Sequence, residues 1–216
     1  QAVALAASVG LARLPVHRRV KVAVFSTGSE LVMPGEPLPP GGIYNSNRYL
    51  LRGLLAGLGC EVEDFGIVPD RLDATREVLR RAAEGHDLIL TSGGVSVGEE
   101  DHVKPAVEAE GSLDMWKIAM KPGKPLAYGR VHGAAFIGLP GNPVSSFVTF
   151  LLMVRPFLLA TQGVSEVAPA SMQLRADFDW PRPDRRRDFL RARMNAPGRA
   201  ALFANQGSAA PAPTAW

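Results

Sequence analysis

Apolar and polar positions along this chain alternate between two periods. A valine-rich run at 20–25 reads as a buried strand, and it stops at Ser26-Thr27-Gly28-Ser29-Glu30-Leu31. Leucines at 50, 51, 54, 55 and 58 form one stripe at helical spacing, opened by Asn45-Ser46-Asn47 and closed by Gly57 and Gly59. Residues 61–68 return to strand character. Residues 73–84 predict a helix with Asp73 as its N-cap and Gly85 just beyond its end. Leu88, Ile89 and Leu90 make a short apolar run that ends at a glycine pair. A helix is expected over 102–109, a mixed segment over 113–120, and two short strands over 126–129 and 134–138. Residues 144–160 read as a long apolar helix, with Asn142 as N-cap, Pro143 at its first position and a kink or restart at Pro156.

Strand and helix in alternation predict an α/β fold, three layers around a mostly parallel sheet. Residues 18–165 carry that pattern. Residues 1–17 read as the alanine-rich helical end of a preceding unit, and residues 170–216 as a partial small β domain. Residues 32–42 hold four prolines and three glycines and are expected to be loop.

In such sheets ligands bind beyond the carboxyl ends of the strands. Loops rich in small residues fall at those ends: Thr27 to Glu30, Pro69 to Arg71, Thr91 to Asp101, and Leu139 to Ser145. Thr91-Ser92-Gly93-Gly94, extended by Ser96 and Gly98, offers backbone N–H groups and hydroxyls to an oxyanion. Glu99, Glu100 and Asp101 follow at once, so carboxylates stand beside an anion cradle. That pairing suits a phosphate handled with a divalent cation, or else acids that favour a helix dipole.

Charge sharpens the picture in one place. The net +3 comes from residues 171–199, where eight arginines face four aspartates; the rest sums to −1. Aromatic residues do not interleave with those arginines, which argues against a nucleic-acid surface. The single cysteine, Cys60, excludes an internal disulfide framework and fits a reducing, cytoplasmic setting. Neither a signal peptide nor an unbroken apolar run of membrane length is expected.

Four motifs then stand together: Ser26-Thr27-Gly28-Ser29-Glu30-Leu31, Ser92-Gly93-Gly94-Val95-Ser96-Val97-Gly98-Glu99, Lys121-Pro122-Gly123-Lys124-Pro125 and Gly138-Leu139-Pro140-Gly141-Asn142-Pro143-Val144-Ser145. The set resembles that of the molybdopterin molybdenumtransferases, the MoeA and gephyrin E-domain family, over about 18–163. Residues 171–208, with Arg187-Asp188-Phe189-Leu190-Arg191 and Asn205-Gln206-Gly207-Ser208, resemble the start of that family's C-terminal β domain. The resemblance implies insertion of molybdate into adenylylated molybdopterin with release of AMP, using Mg2+. It also implies a homodimer, with a molybdopterin adenylyltransferase as a further partner.

Carried onto this chain, the resemblance implies that Glu30, Asp70, Asp101, Lys121 and Lys124 are catalytic and that Asp70 and Asp101 bind the metal. Thr27, Gly28, Ser29, Asn47, Ser92, Gly93, Gly94, Ser96, Gly98, Glu99, Lys117, Gly123, Pro140, Gly141, Asn142, Pro143 and Ser145 would hold the pterin ligand. Ser29 stands where the family often has aspartate. The family's long N-terminal part has no counterpart here, so a ligand-binding fragment with poor turnover is expected. Two alternatives stand beside this reading: a molybdopterin adenylyltransferase-like protein, and a non-catalytic molybdopterin-binding scaffold.

Overall fold

A computed structural model describes residues 2–95, 102–180 and 185–207, apart from the Trp116 side chain. Six strands form one sheet in the order β4-β1-β5-β9-β8-β6. They are β1 (Lys21–Thr27), β4 (Glu61–Val68), β5 (Leu88–Ser92), β6 (Gly111–Lys117), β8 (Pro125–Val131) and β9 (Ala134–Leu139). Neighbours β4, β1, β5 and β9 run parallel, and β8 runs antiparallel to both β9 and β6. The expected mostly parallel sheet is therefore present.

Strand alternation sorts the core into two faces. Ala23, Phe25, Ile89 and Phe136 meet Val78, Leu79, Val103 and Val107 on one side. The latter four come from α3 (Leu72–Ala83) and α4 (Val103–Glu110). Val22, Val24, Leu88, Leu90 and Ile137 meet Leu51, Leu55, Phe150, Val154 and Leu158 on the other. Those come from α2 (Ser46–Gly57) and from a continuous helical run. That run is α5 (Pro143–Thr149), a π-helical turn (Phe150–Val154) and α6 (Arg155–Thr161). Both faces of the central strands are covered, which is why β1 and β5 read as unbroken apolar runs.

Several local expectations are refined or corrected. The expected restart at Pro156 takes the form of a π-helical turn just ahead of it, with α6 beginning at Arg155. The π turn directly ahead of Pro156 accommodates the missing N–H, so the 19 residues Pro143–Thr161 stay helical. This run is long and apolar enough to cross a membrane, yet Phe150, Val154 and Leu158 from it pack on the sheet. Asp73 is not the N-cap of α3; Arg71 holds that position, and Asp73 lies in the first turn. Residues 113–120 do not form a mixed segment. Most of them belong to β6, whose register against β8 slips twice, between Leu113 and Met115 and between Met115 and Lys117. Those slips erase the period-two signal. Within the expected loop 32–42, Leu31–Val32 (β2) pairs in parallel with Ile43–Tyr44 (β3) and pins both ends of the prolyl segment.

The ends of the chain are less embedded. Helix α1 (Ala2–Ser8) buries no residue. Met120–Lys121 (β7) pairs in parallel with Arg187–Asp188 (β10), which stitches the C-terminal segment to the lysine loop. Ala192–Met194 (β11) and Ala200–Leu202 (β12) form a small antiparallel pair.

Candidate functional site

Parallel pairing brings the carboxyl ends of β1, β5 and β9 side by side: Ser26 opposes Ser92, and Ser92 opposes Leu139. The chain leaves each strand through small residues, and the loops interlock. Gly93 adopts φ +89°, and a Cβ there would lie 2.5 Å from the Thr27 carbonyl oxygen. Only glycine lets these backbones approach so closely. The Gly93 N–H donates to the Leu139 carbonyl at 3.0 Å. Asn142 caps α5 by accepting from the Ser145 N–H at 3.1 Å, as the sequence predicts.

These loops and the start of α2 enclose a cleft of about 300 Å³. Of the expected ligand-binding and catalytic residues, Thr27, Glu30, Asn47, Ser92, Gly93, Gly141, Asn142 and Pro143 line it. Glu30 is exposed, and its carboxylate folds back over Gly28, whose φ is +145°. A Cβ on Gly28 would lie 2.7 Å from a Glu30 carboxylate oxygen, so glycine admits the acid over this turn.

The polar groups under the cleft are incompletely paired. Asn47 Nδ2 donates to the Gly141 carbonyl at 2.8 Å, and Asn45 Oδ1 accepts from the Arg48 N–H at 3.2 Å. Thr27 Oγ1, Asn45 Nδ2 and Asn47 Oδ1 are sealed from water and have no hydrogen-bond partner among the described residues. Each such atom costs about 1–3 kcal/mol if left open, and all three belong to residues that line the cleft.

A second concavity of about 450 Å³ lies on the other side of Asn142. Lys121, Pro122 and Ser145 line one wall; Asp188, Phe189, Leu190, Arg191 and Gln206 of the C-terminal segment line the other. Lys121 is exposed, and Ser145 is buried at the start of α5. Gly123 anchors the lysine loop with φ +107°, close enough to α5 that a Cβ would meet Thr149 Oγ1 at 2.5 Å. The Lys121-Pro122 peptide is cis.

The remaining expected residues are placed as follows. Lys124 and Lys117 are exposed; Lys117 closes β6 opposite Pro125. Ser29 is exposed, and Pro140 is buried with its carbonyl accepting from Ser146 Oγ. Gly94, with φ +65°, packs against Thr27 and Val103. Asp70 is half-buried beyond β4. Ser96, Gly98, Glu99 and Asp101 lie outside the described residues. Among the described residues, no group of three or more His, Cys, Asp or Glu side chains is gathered to hold a metal. Glu30 lines the cleft and Asp70 lies beyond β4, and carboxylate oxygens of this kind suit Mg2+, which binds through one or two carboxylates and completes its shell with water and substrate phosphate.

Sequence reasoning missed Asn45 as a lining residue, reading it only as the start of a helix, whereas Asp188 to Arg191 in the second concavity accord with the basic segment 171–199 read as a solvated face or the wall of an anionic substrate pocket. Asn45-Ser46-Asn47 was visible, but nothing local indicates that these residues line one cleft with Gly141 and Asn142.

Known proteins with related sequences and folds bear on this geometry. Residues 23–160 match the family described as "Probable molybdopterin binding domain". A molybdopterin molybdenumtransferase of Haemophilus influenzae is 48% identical over 159 residues, covering 74% of this chain and 39% of that protein. One from Staphylococcus aureus is 36% identical over 211 residues, covering 95% of this chain and 49% of that protein. The molybdopterin biosynthesis MoeA protein of Pyrococcus horikoshii OT3 superposes with a TM-score of 0.77 at 26% identity, covering 96% of this chain and 49% of that one. The chain thus spans about half the length, or less, of the relatives it matches. With the family match running from within β1 to within α6, across the loops that build the cleft, the chain belongs to the molybdopterin-binding domain family.

Proposed function

We propose that this chain supplies the ligand-binding α/β part of a molybdopterin molybdenumtransferase, acting on adenylylated molybdopterin and molybdate in molybdenum cofactor biosynthesis. The observation that carries this reading is the cleft at the carboxyl ends of β1, β5 and β9, where buried polar atoms stand open beside glycine-built loops. Ser92, Gly93 and Gly94, with Ser96 and Gly98, would cradle a phosphate through hydroxyls and backbone N–H groups. Asp70 and Asp101 would hold Mg2+, with Glu30 as a further catalytic carboxylate. When bound, the ion would neutralise the pyrophosphate whose P–O bond is cleaved as AMP leaves.

Lys121 and Lys124 would offset the charge of molybdate and of the departing phosphate. Ser145, at the start of α5 beside Lys121, would donate to the same oxyanion. A second subunit would complete the site, and an adenylyltransferase would deliver the substrate. The paired β7 and β10 favour this reading over an adenylyltransferase-like protein, because they bring a basic C-terminal segment to the lysine loop.

Calorimetric titration of this chain tests the proposal. Molybdopterin and its adenylylated form would be compared with and without Mg2+, and on Asp101→Ala. Binding that tightens with the adenylyl group and Mg2+, and loses the Mg2+ effect in the variant, is expected. Equal binding of both forms without any metal effect would instead indicate a plain molybdopterin-binding module.

A further inference from the structure

Two stretches of the C-terminal segment, Arg187 to Arg191 and Asn205 to Gly207, meet in one hydrogen-bonded clamp. Gln206 Oε1 accepts from the Arg191 N–H at 2.9 Å. Gln206 Nε2 donates to the Arg191 carbonyl at 2.8 Å and to the Phe203 carbonyl at 2.9 Å. Opposed residues of an antiparallel pair exchange bonds in this way, and here a side-chain amide takes the place of a strand. The Phe203 N–H also donates to the Arg191 carbonyl at 3.1 Å, so the β11–β12 hairpin is prolonged to Arg191. Turning the amide over would set its nitrogen against an N–H and its oxygen against two carbonyls, so its orientation is fixed. Asn205 Oδ1 accepts from the Gly207 N–H at 2.8 Å, and the Gly207 carbonyl accepts from Arg191 Nη2 at 2.5 Å. Residues 205–207 therefore hold both the backbone and the guanidinium of Arg191.

Arg191 lines the 450 Å³ concavity with Lys121 and Ser145, and it does so alone among the described residues of the 191–203 hairpin. Lys121 is tied to the same segment, since its carbonyl accepts from the Phe189 N–H at 2.7 Å. Arg191 thus stands between two attachments: β10 on one side fixes its distance along the chain from Lys121, and Gln206 on the other fixes its backbone. Two cations, Lys121 and Arg191, line the concavity against one carboxylate, Asp188, which favours an anion. A guanidinium presents its donors in a rigid planar fork, so an oxyanion gains from having that fork aimed in advance.

We infer that Gln206 is a positioning residue: acting through Arg191, it sets the C-terminal wall of the second concavity for a tetrahedral oxyanion. The inference rests on the reading that places the oxyanion beside Lys121 and Ser145. Gln206 itself touches no reacting atom. A glutamine that only steadied the hairpin would serve at any point along it, whereas this one grips the hairpin residue that shares the concavity with Lys121.

Calorimetric titration with molybdate tests this on the whole chain, with thermal melts in parallel. The variants are Lys121→Ala, Gln206→Met, Arg191→Met and the double variant Gln206→Met with Arg191→Met. Asn195→Ala serves as a control at the far end of the same hairpin, where Asn195 Oδ1 accepts from the Arg199 N–H at 2.8 Å and Nδ2 donates to Asp177 at 2.6 Å. The parent is expected to bind molybdate and Lys121→Ala to weaken it. Gln206→Met should weaken it about tenfold, Asn195→Ala should bind as the parent does, and Gln206→Met should add nothing once Arg191 is replaced.

A parent that does not bind, or binding that Lys121→Ala leaves unchanged, overturns the oxyanion reading of this concavity and the inference with it. Binding that weakens in Lys121→Ala but not in Gln206→Met overturns the inference alone. So does an equal loss in Gln206→Met and Asn195→Ala, or a further loss on top of Arg191→Met, because either marks a hairpin effect that does not pass through Arg191. Gln206→Glu, which keeps the acceptor for the Arg191 N–H but turns an oxygen toward the two carbonyls, replaces Gln206→Met throughout if that variant does not fold.

Discussion

The two ends of the central sheet treat polar groups in opposite ways. At the amino end, buried or half-buried carboxylates are saturated. Asp87 accepts from Arg18 Nη1 at 2.7 Å, from Arg18 Nη2 at 2.5 Å and from the Lys21 N–H at 2.8 Å. Glu110, whose side chain is only 6% exposed, accepts from Arg76 Nε at 2.7 Å and Arg80 Nη1 at 3.0 Å, with His132 Nε2 at 3.5 Å. At the carboxyl end, Thr27, Asn45 and Asn47 keep buried polar atoms open. The chain satisfies its charges where only stability is at stake. It leaves hydrogen-bonding capacity unspent where a ligand can supply the partner.

The largest effect is expected from closing the carboxyl end. Gly93→Ala places a methyl against the Thr27 carbonyl at a positive φ. It should cost about 2 kcal/mol in chemical denaturation and abolish binding of molybdopterin. A variant with parent stability and parent affinity would show that the loops have slack that this contact does not suggest.

Next comes Arg18→Gln at the amino end. The Asp87 carboxylate then loses two of its three donors. The melting temperature should fall by about 2–4 °C, while ligand affinity stays within about twofold. A drop in affinity with no drop in stability would reverse the assignment of roles to the two ends.

The third prediction uses pH. Hydrogen bonds from Arg18 hold the Asp87 carboxyl below its ordinary value of 3.8, and Arg76 holds Glu110 below its ordinary 4.5. The unfolded chain therefore binds these protons at higher pH than the folded chain does. The stability they contribute is present above those ordinary values and is lost as pH falls through the depressed folded ones. Unfolding monitored from pH 6 downward should show stability falling below about pH 4.5, with a shallower fall in Arg18→Gln because Asp87 then titrates near its unfolded value.

The smallest effect is expected from Asp73→Asn. Arg71 draws the exposed Asp73 carboxyl down to about 2, yet both partners are 68% exposed. Solvent screens such a pair, and the melting temperature should move by no more than about 1 °C. A large shift would mean that the first turn of α3 is tied to the loops around Asp70.

Much of this organisation was legible in the residues. The strands at 20–25 and 61–68, the Asn142-Pro143 cap and the glycine loops all follow from local chemistry, because period, capping and φ preference act over a few residues. The strand at 111–117 was not legible, since its register slips against β8. The restart at Pro156 was legible, but not the π turn ahead of it that keeps the run helical.

By itself the sequence determined an α/β chain with small-residue loops after its strands, and a motif set pointing to molybdopterin chemistry. Tertiary structure decided which residues share a cleft. Thr27 and Asn45 are 18 positions apart and Asn47 and Gly141 are 94 apart, yet one cavity collects all four. It also decided which atoms stay open, because an amide's free atom is known only once the other has found its partner.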